Sequence, residues 1–563
     1  MFKPTDSQLS LFQPDRLFPG ILPSDDWSYV YREKIYPNIN EDAFKHLYHA
    51  TDGAPNKSIK KQISILIFMG IETLNWREAA FQFPRRIDWL NATYTPFGEA
   101  NIDHTTLFKF YQRIEKDEAA YNLFRDLTGQ FILECGVSSR RQRVDSFFMY
   151  GWLEKLSRYG LFKETIRSFL QNLCKNKPGL YDKISADLSR NYIEDNFDLT
   201  EKDKDQASRK ILEMARDLYL LKQAFEKHKQ IKHYKSFQTL AKVFEQQCLV
   251  KDAKSSTSDI QGIVESDSQS AVNTSHNVEI RKVPEGDKII STPHNTDAEY
   301  TRKRDQRIVG HKGFLTETCG PENEVQFITD VNLETASHSD SEETLKIETR
   351  LEENGFKPES LYGDAGFVNG ETILKSEDRD IDLEGPSSGR SQSFEKYESK
   401  NRPLDIADFK VDVIQYSKEI KVQSCPAGNE PLDQSRSKKT GKLLVHFPSE
   451  KCTKCELNEQ CHVKIGVRKS TLTVDEKQHA GAVRHHKYME DTDYRKECGI
   501  RAGAESLVNE VANGHGARQS RHRTESGSRL QLLFAALSCN IKRYIRHTTE
   551  CVKKQAQRSE VMA

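Results

Sequence analysis

The run Arg140-Arg-Gln-Arg-Val-Asp-Ser-Phe-Phe-Met149 holds one carboxylate, Asp145, in a β-prone segment that is otherwise largely apolar beyond its basic start. A buried strand rarely carries a charge without a compensating partner. The pattern recurs at Leu361-Tyr-Gly-Asp-Ala-Gly-Phe367, where Asp364 ends a short extended run ahead of glycine-flanked turn chemistry and a helical pattern. A third carboxylate, Glu505, opens a helix-like segment in Ile500-Arg-Ala-Gly-Ala-Glu-Ser506. Two aspartates at strand ends and a glutamate on a late helix form an acidic triad able to hold two divalent cations, Mg2+ or Mn2+, as in-line phosphoryl transfer requires. The three lie 219 and 141 residues apart, so only the fold can gather them. Each has a rival: an aspartate before serine also serves as a turn or cap residue, Asp330 and Asp340 compete for the second position, and Glu510 competes for the third.

The words around the carboxylates resemble those of the bacterial insertion-sequence transposases of the DDE class. The matching phrases are Gln142-Arg-Val-Asp-Ser146, Asp297-Ala-Glu-Tyr300, His311-Lys-Gly-Phe-Leu-Thr-Glu-Thr318, Tyr362-Gly-Asp-Ala-Gly366, Ile381-Asp-Leu-Glu-Gly-Pro386 and Arg501-Ala-Gly-Ala-Glu505, in the family's order. The resemblance implies an α/β fold with a ribonuclease H-like mixed sheet, an all-α N-terminal domain and a helical insertion after the first catalytic strand. It implies metal-dependent cleavage of DNA at the ends of a mobile element, followed by strand transfer into target DNA. Asp145 would bridge two Mg2+ ions, with Asp364 and Glu505 each holding one. The expected partners are terminal inverted repeats and target DNA, with a homodimer on paired ends. A metal-dependent nuclease on the same fold would keep the triad without strand transfer. A catalytically inactive, transposase-derived DNA-binding protein is the third reading. It is motivated by two departures: Cys498 stands where the family has a tyrosine, and Ala512 where it has a lysine.

Global charge makes no case for nucleic acid, because Lys+Arg and Asp+Glu each total 84 in 563 residues. Any DNA surface must therefore be local. Arg518, Arg521 and Arg523 lie in a Gly- and Ser-bearing loop beyond Glu505 and suit backbone phosphates, as does Arg501, one helical turn before Glu505. His515 is a further phosphate candidate. With 36% hydrophobic and 30% charged residues, no apolar run approaches the length of a membrane span, the longest being Ile63–Met69. The opening Met1–Asp6 has no signal-peptide pattern, and the expected location is cytoplasmic, with eleven cysteines reduced or metal-bound.

Along the chain, residues 17–118 read as a helical domain and candidate reader of DNA ends, with a helix over 58–74, another at 76–81 and Asp103 as N-cap of a third. Residues 151–250 form a helical insertion, and the serine-rich stretch within 251–290 a flexible linker. Core strands are expected within 139–150 and 291–386: at 310–318, 325–334, 360–364 and 380–383, with helices over 341–354 and 370–377. A C-terminal catalytic helix and basic segment occupy 494–547. Between the second and third carboxylates, 420–465 carries Cys425 and then Cys452-x2-Cys455-x5-Cys461, four thiols suited to structural Zn2+, with His462 as an alternative to Cys461. Cys135, Cys174, Cys248, Cys319, Cys498, Cys539 and Cys551 show no ligand spacing.

Overall fold

The computed structural model describes residues 1–5, 10–151, 156–194, 204–250, 278–286, 288–303, 306–387, 402–414 and 418–562. Its central sheet is built from β1 (Arg141–Tyr150), β2 (Glu299–Lys303), β3 (Gln306–Thr318), β4 (Ile328–Thr335), β5 (Ser360–Tyr362) and β6 (Asp382–Glu384). β1 lies between β3, which runs antiparallel to it, and β5, which runs parallel. β6 continues the parallel edge, while β2 and β4 both pair antiparallel with β3. The strands expected at 310–318, 325–334, 360–364 and 380–383 are all present with shifted ends. The hairpin partner β2 was not anticipated; it covers Glu299 and Tyr300 of the Asp-Ala-Glu-Tyr phrase.

Helices cover both faces because alternation along β1 sends apolar side chains each way. Val144 faces one side with Phe314, Leu361 and Leu383, under helices Asp340–Glu353 and Gly370–Glu377. Phe147 and Met149 face the other with Leu315 and Leu333. That second core runs without a break into α1 (Ile59–Glu72), α2 (Ala119–Glu134) and the 38-residue C-terminal helix Glu525–Met562. Residues 17–118 are mainly helical, with Ser58 and Asp103 as N-caps, and they share one core with the central sheet.

The helical insertion has its own core. α3 (Arg158–Asn176), α4 (Lys204–Glu226) and α5 (Lys235–Gln247) bury Phe162, Phe169, Leu218, Leu221 and Leu240 together. At the start of the expected insertion, residues 152–155 lie outside the described residues. Most of the linker, 251–277 and 287, also lies outside them. Its end departs from the expectation: Val278–Ile280 is a strand paired with Cys248–Val250, closing the insertion's core.

After α6 (Asp340–Glu353) and α7 (Gly370–Glu377), the cysteine-bearing region is larger than 420–465. It is a β unit of β7 (Lys410–Val413), β8 (Ile420–Ser424), β9 (Asp433–Arg436), β10 (Leu443–Pro448) and β11 (Lys469–Val474), followed by α8 (Glu476–Glu490). Its core spans Ile406 to Ala482.

One ionic ladder ties these layers together. Arg143 on β1 donates from Nε (2.9 Å) and Nη2 (2.6 Å) to Glu317 on β3. Arg543 of the C-terminal helix donates to the other Glu317 oxygen at 2.7 Å and to Glu510 at 2.7 Å. The Glu317 side chain is 1% exposed, so it takes its charge compensation from the two arginines. Removing one member of a buried pair leaves an uncompensated charge. Glu317→Ala is therefore expected to lower unfolding stability by about 3–5 kcal/mol, measured by urea denaturation, whereas a loss below about 1 kcal/mol would mean the ladder is solvated.

Candidate active site

The fold brings the two aspartates together. Arg143 with Tyr362 is the last pair of the parallel β1–β5 ladder, and Asp364, two residues beyond β5, lies near enough to Asp145 for its charge to act on that carboxyl. Asp364 then turns the chain: its carboxylate accepts from the Gly366 N–H at 2.7 Å, and its carbonyl accepts from Phe367 and Val368. Gly366 is needed for a close approach, since a Cβ there would lie 2.8 Å from Asp340 Oδ2 and 2.9 Å from Asp364 Oδ1. Asp340 opens α6 and pairs with Lys312 Nζ at 2.8 Å. In the sequence Asp340 competes with Asp364 for one role; in the structure the two share one acidic corner.

Electrostatics report the same convergence. Burial, followed by the negative charges of Asp364 and Asp340, pushes Asp145 up to about 6, against the opposing effects of the Ser146 N–H and Arg501. A carboxylate held this way among like charges is relieved by a bound cation. The donor set, hard oxygen ligands only, suits Mg2+ or Mn2+.

Glu505 is exposed on α9 (Gly503–Asn509), which packs against β1 on the face that carries Arg143 and Asp145. A Cβ at Gly503 would lie 1.9 Å from Arg143 Nη1, and that same nitrogen donates to the Ile500 carbonyl at 2.9 Å. Arg143 thus fixes where α9 begins. Both rivals are occupied elsewhere. Asp330 is fully buried and held by Arg350 at 2.9 and 2.8 Å, and Glu510 belongs to the ionic ladder.

The two departures now have surroundings. Cys498 is buried against Tyr494, whose hydroxyl donates to Glu384 at the end of β6. Ala512 is fully buried within a π-helical turn, Glu510–Gly514, which rotates it inward and leaves Asn513 exposed.

Among the basic residues, Arg523 is exposed, Arg501 is half-buried beside Asp145, and Arg518 lies 5.6 Å over the Phe147 ring while donating to Asn513. Arg521 is a correction. Its guanidinium donates to the carbonyls of Leu74 (2.6 Å) and Thr73 (3.1 Å), capping the end of α1 rather than facing solvent phosphate. His515 is likewise buried, with Nδ1 donating to the Gly70 carbonyl at 3.0 Å.

Cys425, Cys452, Cys455 and Cys461 line one small cavity of about 30 Å³, and the thiols of Cys452 and Cys461 are pushed up, first by burial and then by the neighbouring sulfurs. They do not form one of the compact groups, among the described residues, whose ligand atoms lie within 4.8 Å of one another. His462 is exposed and lines a separate cleft beside Asn369 and Gly481, so it does not replace Cys461.

Residues 424–545 match the family model described as a transposase DDE domain. The match supports a transposase of the DDE class. It covers the four cysteines, Arg501 and Glu505, and leaves Asp145 and Asp364 to the geometry above. No curated protein matches the chain, and no solved structure does. No helix among the described residues is long and apolar enough to cross a membrane.

The raised Asp145 carboxyl has a measurable consequence. An acid whose folded pKa exceeds its unfolded value contributes stability that is fully present below about pH 4 and is lost as pH rises through about 6. In EDTA at pH 7, Asp145→Asn is expected to be more stable than the parent by about 1–2 kcal/mol, discounted for residual solvent contact. Thermal unfolding across pH should show that advantage vanish by pH 4; a pH-independent difference would contradict it.

Proposed function

We propose that this chain is a DNA transposase that cuts at the ends of a mobile element and joins them to target DNA. What supports the reading is the nearness of Asp145 to Asp364 and Asp340, together with the packing on β1 of the helix that bears Glu505, a helix inside the matched transposase segment. A ribonuclease H-like core is supported by the strand order. Setting aside the hairpin strand β2, the order is β4–β3–β1–β5–β6, with the first three antiparallel and the last two parallel to β1.

The DDE class uses divalent metal, and here Asp145, Asp364 and Glu505 would hold it. When bound, Mg2+ or Mn2+ lowers the pKa of an attacking water or 3′-hydroxyl and stabilises the leaving oxygen. The chain's own residues prepare that site. Asp145 presents its carboxylate from the middle of β1 and Asp364 from the turn two residues past β5, while Arg143 anchors the start of α9, the helix that bears Glu505. Arg501 sits where it offsets part of the acidic field, and with Arg518 and Arg523 it forms the surface we assign to DNA phosphates. Two active sites on a homodimer would act on paired ends.

The inactive-derivative reading is favoured by one observation, the buried Ala512 in the lysine position, which offers no charge to phosphate. A plain nuclease would nick without joining. Incubating the protein with a plasmid bearing its own flanking DNA, in Mg2+ and in EDTA, separates the three. Metal-dependent nicks and joined products are expected, reduced at least about 1000-fold, or ~4 kcal/mol, in Asp145→Asn, Asp364→Asn and Glu505→Gln while DNA binding persists. Binding without cleavage in either Mg2+ or Mn2+ would rule out the transposase reading.

Structural Zn2+ completes the proposal: Cys425, Cys452, Cys455 and Cys461, all half-buried around one cavity, would hold it as thiolates and so tie the β unit together. One equivalent of zinc should co-purify with this region and be lost in Cys452→Ser/Cys455→Ser, as read by elemental analysis. Unchanged zinc in that variant would refute the assignment.

A further inference from the structure

Three groups of metal-ligating side chains, among the described residues, have ligand atoms within 4.8 Å of one another: Glu324 with His547 and Cys551, Asp405 with Asp408 and His486, and Glu510 with His515 and Cys539. In the first, Glu324 is exposed. In the second, Arg402 neutralises Asp408, and Asp405 is bonded to the Ala407 N–H and to His486. The third differs in kind. His515 is 3% exposed and Cys539 is fully buried, while Glu510 lies at their edge.

We propose that Glu510, His515 and Cys539 form a second transition-metal site, of the Zn2+ class, distinct from both the acidic triad and the four-cysteine cavity. The imidazole is already arranged for it. Its Nδ1–H donates to the Gly70 carbonyl at 3.0 Å, which fixes the tautomer and leaves Nε2 with its lone pair; Nε2 is buried and has no hydrogen-bond partner. An orphaned buried acceptor is costly, and a metal-bound histidine characteristically donates its other nitrogen to a carbonyl or carboxylate. Arg543 takes Glu510 Oε2 and is itself balanced by Glu317, and the Cys539 thiol is hydrogen-bonded to the same carboxylate, so the thiol proton occupies the place an ion would take between them. Imidazole, thiolate and carboxylate together select a borderline cation such as Zn2+ over Mg2+. Binding breaks the Cys539 S–H bond and forms a sulfur–metal bond, and the proton leaves to solvent.

The three ligands come from three places: the π-helical turn that follows the Glu505 helix, the loop after it, and the C-terminal helix. Through Gly70 the site also reaches α1. An ion here would lock the end of the Glu505-bearing segment to the two helices behind it. The proposal does not depend on the transposase reading, because its test reads metal and not DNA.

Full-length protein, stripped by chelator under reducing conditions, is titrated with Co2+, first unaltered and then with Cys539→Ala. Thiolate-to-cobalt charge transfer in the near ultraviolet excludes ions held by the carboxylates alone. The unaltered chain is expected to show one more equivalent of thiolate-bound cobalt than Cys539→Ala, and the difference should survive in a Cys452→Ser/Cys455→Ser background. His515→Gln, which removes a ligand, should weaken that equivalent by more than the roughly 10- to 100-fold that loss of an outer-shell partner costs, with circular dichroism verifying the fold of each variant. Equal stoichiometry in the unaltered and Cys539→Ala proteins would overturn the proposal, as would His515→Gln binding with unchanged affinity. If Cys539→Ala fails to fold, the His515→Gln affinity alone decides between the same two outcomes.

Discussion

Glu317 is the residue on which the active-site side of the sheet depends. It lies on β3, almost wholly out of water, with one carboxylate oxygen given to Arg143 and the other to Arg543. Burying one acid between two arginines leaves excess positive charge, and each arginine disposes of it outward. Arg143 does so onto the Ile500 carbonyl, which ends the approach to α9, and Arg543 onto Glu510, which follows α9. The helix that carries Glu505 is therefore gripped at both ends by groups answering to one buried carboxylate. Such a ladder is a weak source of net stability but a strong source of position, because each alternative placement strands a buried charge.

The acidic corner works in the opposite sense. Where the ladder is satisfied, Asp145, Asp364 and Asp340 are brought together, with Lys312 paired to Asp340 and Arg501 offsetting part of the charge on Asp145. The chain accepts this cost through local geometry: the parallel β1–β5 ladder ends just before Asp145 and Asp364, leaving both acids at its end, and Gly366 has no Cβ to hold Asp340 away from Asp364. Unbalanced negative charge at the end of an otherwise well-packed sheet is a feature that packing alone does not produce, and a divalent cation is the economical counter-charge. Strength in the frame and frustration in the site belong to one design, since only a rigid frame can hold like charges this close.

Much of this was legible in the sequence because it is local. The caps at Ser58 and Asp103, the strand runs around Asp145 and Asp364, and the helices over 341–354 and 370–377 are written in neighbouring residues, and they appear in the structure within a few positions. What escaped was set by long-range contact. Arg521 looked like a phosphate ligand until Leu74, 447 residues away, was found to accept its hydrogen bond. Cys539 showed no ligand spacing because its neighbours Glu510 and His515 arrive from another segment. The β unit around the cysteines was read only as a cysteine-rich insertion, since β9 is short and polar and its pairing with β10 is not signalled by alternation. Ala512 seemed a lost lysine on the Glu505 face; a π turn, which no local pattern announced, turns that position into the core.

The shared core bears on how DNA ends would be read. A detachable N-terminal reader would need its own hydrophobic interior, but α1 and α2 are buried against Phe147, Leu315 and the C-terminal helix. The contacts are specific as well as apolar. Ser538 donates to the Ile67 carbonyl, Tyr111 to the Gly527 carbonyl and Asn540 to Thr128, so three points of the C-terminal helix are fixed to three different N-terminal segments. That same helix carries Arg543 to Glu317 and Glu510. A force applied to the N-terminal helices by bound DNA would thus reach the Glu505 helix through one long helix and two salt bridges, one buried at Glu317 and one half-buried at Glu510. Recognition by this layer and chemistry at the acidic corner would be coupled through packing that has few ways to yield, which places any movement on assembly in the separately cored helical insertion or the cysteine-bearing β unit.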